Sequence, residues 1–481
     1  MLRKVMVESG ELQGVPGGDP RITIFKGVPY AAPPVGRLRW REPQSVDKWD
    51  GVKMADRFAP VSMQGQLGMD WSEFYTRELH PAAYEYEMSE DCLYLNIWSP
   101  AVSGNEKLPV FYYIHGGGYV GGYSYEMEFD GERVASKGII LVTVGYRLGA
   151  LGFFAHRDLD SEAPGESQGN FGLLDQAAGL AWVKRNIAAF GGDPDNITIG
   201  GQSAGAGSVT TLITSPLTKG MFKGAIMMSG GGLNGVGSPF KPWRSLDQAQ
   251  ADGQLLLDTL HVKSVEEARR LPAQVIAMTG LGLKPDGRKG PNLWGPTVDH
   301  RFLLEDSFPA MMEGRIHDVA YLFGHTYDEG SLFNRMFRGN SKEEDVNPFT
   351  LFHGCFARLM AEQGRTAYTY VFRHDIPGED RPGAYHGSDL WFVFDSLGRC
   401  WRPFEGKHYD LARQVSSYWV NFVKYQDPNG LDCNGEKLPS WHNYTGDRHM
   451  IMIFGDEPHE VEEEDSEQLR LKKQEYMGRT E

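Results

Sequence analysis

Residues 197–213 read ITIGGQSAGAGSVTTLI, a β-branched run that passes through a turn of small residues into a helix-like pattern. A strand that turns this sharply into a helix belongs to a layered α/β architecture, because the helix must fold back onto the sheet that holds the strand. The rest of the chain repeats the alternation. Apolar runs at 110–114, 139–144, 197–199, 225–228, 319–323, 368–372 and 450–454 are too continuous for half-exposed strands and predict the buried strands of a mostly parallel central sheet. Between two of them, residues 173–190 place Leu174, Ala178, Ala181, Trp182 and Ile187 at near-helical spacing and stop at Gly191-Gly192. Residues 409–425 put Leu411, Val415, Tyr418, Trp419 and Phe422 on one helical face, and the sequence DPNG closes that helix. The expected fold is α/β and doubly wound, with helices flanking the sheet and ligands bound beyond the carboxyl ends of the strands. Ser203 sits at one such end.

No internal repeat and no Pro/Ser-rich linker divides the 481 residues, so one domain spanning 1–481 is expected. Residues 233–295 are mostly helix-like with Gly/Pro breaks and predict a helical insertion near the entrance to the site. From Glu457 the chain is charged and predicts a solvated helix or frayed end.

Charge excludes some partners. With 64 acidic against 48 basic residues the formal net charge is -16, and no basic patch offers itself to nucleic acid or to an anionic membrane. The N-terminal MLRKVMVESGELQG is followed by no apolar run of signal-peptide length, and no stretch is apolar for the length of a membrane span, so a cytoplasmic location is expected. The four cysteines, Cys92, Cys355, Cys400 and Cys433, form no C-x-x-C pair and are expected as free thiols; no metal and no cofactor is expected.

The pattern Gly201-x-Ser203-x-Gly205, between a strand and a helix, is that of a nucleophile elbow, in which a strained turn exposes the serine. Side chains at 201 or 205 would collide with the adjacent strand or helix. The N–H of Ala204, at the helix start, points to where an oxyanion would form. A second glycine run, YIHGGGYVGG from Tyr113, follows the strand 110–114 and offers further N–H donors. Its Gly116, Gly118 and Gly121 also satisfy G-x-G-x-x-G, but YSYEMEFDGERVASKG is a poor helix opening. The next strand ends in Val144-Gly145-Tyr146 without an acid for a ribose, so dinucleotide binding fails its own context.

At this point the sequence resembles the type-B carboxylesterase and cholinesterase family of α/β-hydrolases. FGGDPDNITIGGQSAG (190–205) matches that family's serine signature, and EDCLYLNIWSP (90–100) its second signature. Further likeness runs through GVPYAAPPVGRLRW, GYRLGALGF, GNFGLLDQ, YDEGSLF, YHGSDLWFVF and YWVNFVKYQDPNG, nearly the whole chain. The resemblance implies the α/β-hydrolase fold, Ser203 as nucleophile, Glu329 as triad acid and His386 as general base, in the chain order expected for this fold. It implies an oxyanion hole of Gly117, Gly118 and Ala204, and Ser229 hydrogen-bonding the triad acid. Structural salt bridges Arg39–Glu90 and Arg147–Asp175 are implied as well. Physical reasoning alone leaves Asp328 and Glu329 as competitors for the imidazole; the family pattern selects Glu329. His115, beside the glycine run, is expected to be structural.

Three departures qualify the likeness. Gln202 stands where the family usually has Glu beside the nucleophile, which removes negative potential and disfavours a cationic choline ester. Met63 stands where secreted members usually carry the cysteine partner of Cys92. His386 follows Glu329 by only 57 positions, so a second insertion, at 330–366, is expected to be shortened and the gorge more open. Trp71, Phe74, Tyr75, Tyr119, Trp294, Phe333, Met336, Phe337 and Trp391 are candidates to line an apolar pocket. The expected function is hydrolysis of small-molecule carboxylic esters through an acyl-enzyme, with neutral aryl or short-to-medium acyl substrates. The alternatives are the same triad acting on a lactone, thioester or amide, or a non-catalytic binding protein of the same fold.

Overall fold

The computed structural model describes residues 1–65, 73–79, 86–231, 243–284, 293–329 and 347–478. All seven apolar runs form adjacent parallel strands, in the spatial order Ile140–Val144, Leu108–Ile114, Gly192–Gln202, Gly224–Met228, Ala320–Thr326, Ala367–Phe372 and Met450–Phe454. Their apolar continuity has a direct cause. Tyr112, Ile114, Ile199 and Met227 face one core, whereas Phe111, Tyr113, Ile226 and Met228 face the other, so neither side of the pleat reaches water.

Helices Phe171–Asn186 and Ala204–Thr214 cover the first core with Leu173, Leu180, Val183, Val209 and Leu212. The second is covered by helix Gly406–Tyr425, which inserts Leu411, Val415, Tyr418, Trp419 and Phe422, the face its periodicity predicts. Phe171–Asn186 departs from its predicted stripe. Leu174 and Trp182 are buried, but so are Leu173, Ala177, Leu180 and Val183, while Ala178 and Ala181 are only partly covered. Enclosed on nearly all sides, this helix has no single apolar face for periodicity to find.

Antiparallel strands extend the sheet on both sides. Tyr94–Ser99, Thr23–Pro29, Gly10–Pro16 and Lys4–Val7 add to one edge and Pro458–Glu462 to the other. The tail expected as a solvated helix or frayed end therefore begins as an edge strand. Its following helix, Glu467–Tyr476, is anchored by the buried Lys473, whose Nζ donates to Glu463 and Asp465 at 2.8 and 2.6 Å. Of the segment 233–295, helices Leu246–Thr259, Val265–Arg269 and Ala273–Gly282 are described, whereas 233–242 and 285–292 lie outside the described residues. So do 330–346 of the second segment, whose remainder carries helix Pro348–Glu362. Among the described residues no helix is long and apolar enough to cross a membrane.

Candidate active site

The carboxyl ends of the parallel strands converge on Ser203. Strand Gly192–Gln202 ends at Gln202, and helix Ala204–Thr214 begins one residue past Ser203, which holds φ 57° and ψ −121°. So tight a turn leaves no room beside it: a Cβ on Gly205 would lie 2.1 Å from the Ile114 carbonyl oxygen. The Ser203 N–H continues the ladder to the Met228 carbonyl at 2.9 Å, and Ser229 N–H does the same to Gly324 at 2.8 Å.

The glycine run after strand Leu108–Ile114 lies against this turn. A methyl on Gly116 would come within 3.2 Å of Ser203 Cβ. Gly117 and Gly118 adopt φ 99° and 62°, and the Gly117 carbonyl accepts from Val120 and Gly121 at 3.1 and 2.9 Å, which closes the turn. Among the described residues no acceptor meets the N–H groups of Gly117, Gly118 or Ala204. His115 is buried, stacks on Tyr146 with ring centroids 4.4 Å apart, and lies 2.9 Å through Nδ1 from the Gly116 carbonyl. Burial pushes it down to about 4, so it stays neutral and acts as part of the loop's frame.

His386 reaches the same corner from the loop after strand Ala367–Phe372. Its Nδ1 meets Glu329 Oε2 in a short hydrogen bond, and its Nε2 lies 3.2 Å from Gln202 Nε2. Glu329 is 2% exposed, and its other oxygen accepts the Thr326 N–H at 3.0 Å. Burial alone would raise this carboxyl; the charge and hydrogen bond of His386 outweigh it, with a smaller pull from His325, and bring it down to about 2. The Ser229 hydroxyl lies beside the carboxylate without hydrogen-bond geometry. For His386 burial works downward, but Glu329, with a smaller contribution from Asp389, holds its pKa above the ordinary value. Asp328, the competitor that reasoning from residues left open, instead accepts the Ala384 N–H at 2.8 Å and so steadies the histidine loop.

The short helix Glu73–Leu79 packs over that loop. Tyr75 donates to the His386 carbonyl at 3.3 Å, and the Phe74 ring meets Tyr385 edge-on at 5.0 Å. Arg402, fully buried, grips Glu78 at 2.7 and 2.8 Å. Of the other aromatic candidates, Trp391 is in the core, and Trp294 is buried with its Nε1 on the Gly280 carbonyl at 2.9 Å. Tyr119 packs edge-on against Phe153 at 5.2 Å. Trp71, Phe333, Met336 and Phe337 lie outside the described residues.

Sequence reasoning passed over Asp389, His325 and His353. Asp389 is fully buried, accepts from Tyr370 at 2.7 Å and is pushed by burial up to about 6. The only signal for His325 is a histidine inside the apolar run YLFGHT. The pairs Arg39–Glu90 and Arg147–Asp175 are in place at 2.6 and 2.7 Å, and the four cysteines are free, with Cys92 and Cys355 buried.

This geometry can be set beside known proteins. The profile of the carboxylesterase family matches residues 2–354 and 350–472. Fumonisin B1 esterase of Sphingopyxis macrogoltabida is 33% identical over 93% of this chain and 85% of its own. Para-nitrobenzyl esterase of Bacillus subtilis is 30% identical over 88% and 89%. A carboxylesterase structure from Geobacillus stearothermophilus superposes with a TM-score of 0.79 at 31% identity, covering 98% of this chain and 99% of that one. With a sheet of this topology and family similarity from end to end, the chain belongs to the carboxylesterase family of α/β-hydrolases, the type-B carboxylesterase and cholinesterase group, and is a carboxylic ester hydrolase.

Proposed function

We propose that the protein cleaves carboxylic esters by double displacement on Ser203, with His386 as general base and Glu329 as its orienting acid. The observation that carries this reading is His386 spanning the site, one ring nitrogen on a buried carboxylate and the other at the elbow. A serine hydroxyl is too weakly acidic to attack at neutral pH unless an imidazole takes its proton. With Nδ1–H committed to Glu329, His386 Nε2 is the acceptor, and the carboxylate stabilises the imidazolium formed during attack. The tetrahedral oxyanion settles on the N–H groups of Gly117, Gly118 and Ala204. Collapse expels the alcohol, which takes its proton from His386; water then repeats the sequence on the acyl-Ser203 ester.

Gln202 bears on substrate class. Its carboxamide holds His386 Nε2 in the resting site and, unlike a carboxylate there, adds no negative potential to draw a cation toward Ser203. Neutral aryl and short-to-medium acyl esters are the proposed substrates. The free cysteines fit a reducing, cytoplasmic setting. Rapid mixing with p-nitrophenyl acetate tests the mechanism: a burst of one p-nitrophenol per enzyme is expected, absent from Ser203→Ala. A matched panel of aryl, alkyl, thio- and choline esters tests the substrate class, and a choline ester or thioester as best substrate overturns it.

A further inference from the structure

Behind the proposed triad lies a polar pair that the mechanism does not use. His325 sits one residue before Thr326, whose N–H holds Glu329, and His353 comes from helix Pro348–Glu362. They are 4% and 2% exposed, and their rings lie 5.3 Å apart with Nδ1 facing Nδ1 at 3.2 Å. Two lone pairs or two N–H groups cannot share that contact, so one ring donates.

The outer contacts decide which. His353 Nε2 is 3.1 Å from the Gly230 carbonyl, which only accepts, so this nitrogen carries the proton. A neutral imidazole protonated there offers Nδ1 as acceptor, which makes His325 the donor through Nδ1–H. His325 Nε2 is then an acceptor, and Thr350 Oγ1 stands 2.9 Å away to donate. One directed chain results: Thr350 to His325 to His353 to Gly230. It requires both rings neutral. Burial pushes His325 down to about 4, against the pull of Glu329. Burial, then the neighbouring His325, take His353 to about 3, against Gly230 and Glu329. Glu329 is the charged group that acts on both; Phe323, Phe349 and Phe352 enclose His353.

The ends of this chain are not arbitrary. A methyl on Gly230 would lie 2.3 Å from the Ser203 carbonyl oxygen, so the acceptor is packed on the elbow. We infer that the His325–His353 pair is a positioning element for the triad acid, tying the strand end that holds Glu329 both to helix Pro348–Glu362 and to the backbone beneath Ser203. The inference rests on the triad reading above. Loosening the pair frees Glu329 to rotate, and misplacement on the scale of 1 Å costs up to roughly 100-fold in turnover.

The test is kinetic and spectroscopic. His353→Phe, which fits among the phenyl rings, is expected to lower kcat roughly 10- to 100-fold with KM for p-nitrophenyl acetate unchanged. The acid limb of kcat/KM moves to lower pH, because His386 loses part of the Glu329 interaction. His353→Gln, which keeps an N–H for Gly230, restores most of the rate. Thr350→Val removes only the first donor and moves both quantities the same way by less, and it carries the test if His353→Phe does not fold. In 15N-histidine spectra of the wild type, His325 is protonated at Nδ1 and His353 at Nε2 from about pH 5.5 to about pH 8. The opposite tautomers, or a folded variant with unchanged kcat and acid limb beside an active wild type, overturn this inference alone. A wild type without turnover overturns the triad reading and this inference with it.

Discussion

His386 gives its Nδ1–H to Glu329, and the second oxygen of that carboxylate takes the backbone N–H of Thr326, so the imidazole is aimed by the end of a buried strand. A tilt of that strand end reorients the imidazole.

Replacing Glu329 with Gln keeps the shape but loses the charge that stabilises the imidazolium, and kcat is expected to fall by roughly 10⁴-fold. The same pair fixes a stability window. The Glu329 pKa is lowered to about 2, so its contribution is present above the unfolded carboxyl value of 4.5 and lost as pH falls toward 2. The His386 pKa is raised from 6.5, so its contribution is full below that value and lost as pH climbs through the raised one. Urea titrations should therefore show the largest wild-type advantage over Glu329→Gln between about pH 4.5 and 6.5.

Gln202 touches Nε2 of His386 at 3.2 Å, the nitrogen proposed to take the serine proton, so a charge at 202 acts on the proposed base directly. Gln202→Glu is expected to move the acid limb of kcat/KM upward by about one pH unit and to raise the preference for choline over neutral esters roughly tenfold. Rate profiles of both enzymes on the two ester classes check this.

Gly117 holds φ 99°, and a Cβ there would lie 2.0 Å from the Gly121 carbonyl oxygen, so Gly117→Ala displaces the loop whose N–H groups are the proposed oxyanion donors. Turnover is expected to drop by the equivalent of roughly 2.7 to 4 kcal/mol while KM changes little. Steady-state kinetics, with circular dichroism to confirm folding, are the measurement.

Arg402 and Glu78 are both fully buried, and without Arg402 the Glu78 carboxylate keeps only the half-exposed Arg77 and the Tyr385 hydroxyl, each at 3.3 Å, so a buried charge is left under-compensated. Arg402→Met should cost up to roughly 3 to 5 kcal/mol in chemical denaturation, and the double variant Arg402→Met with Glu78→Gln less.

How far the sequence discloses this molecule depends on which neighbours a residue needs. The seven parallel strands were legible because strands buried on both faces are apolar without interruption. Lys4–Val7 and Gly10–Pro16 were not, since their buried residues alternate with exposed or half-buried ones and leave no continuous apolar run. Ser203 and its glycines announce themselves as a local pattern between an apolar run and a helix, and Gly201 is constrained by Gly205 itself, although Gly205 is constrained by Ile114 on the neighbouring strand. The choice between Asp328 and Glu329 is not local: it depends on which of two adjacent carboxylates the loop returning some 57 positions later meets. His325 and His353 were unreadable for the same reason, each sitting in an apolar run until the fold sets one ring against the other.

The central claim is that Ser203 is the nucleophile and that His386 with Glu329 activates it. Incubation with a fluorophosphonate followed by peptide mass spectrometry addresses it directly. The account predicts one adduct per chain on Ser203, activity lost in step with labelling, no adduct in Ser203→Ala, and labelling slowed by orders of magnitude in Glu329→Gln. An adduct on another residue with Ser203 unmodified, or full esterase activity surviving in Ser203→Ala, would contradict it.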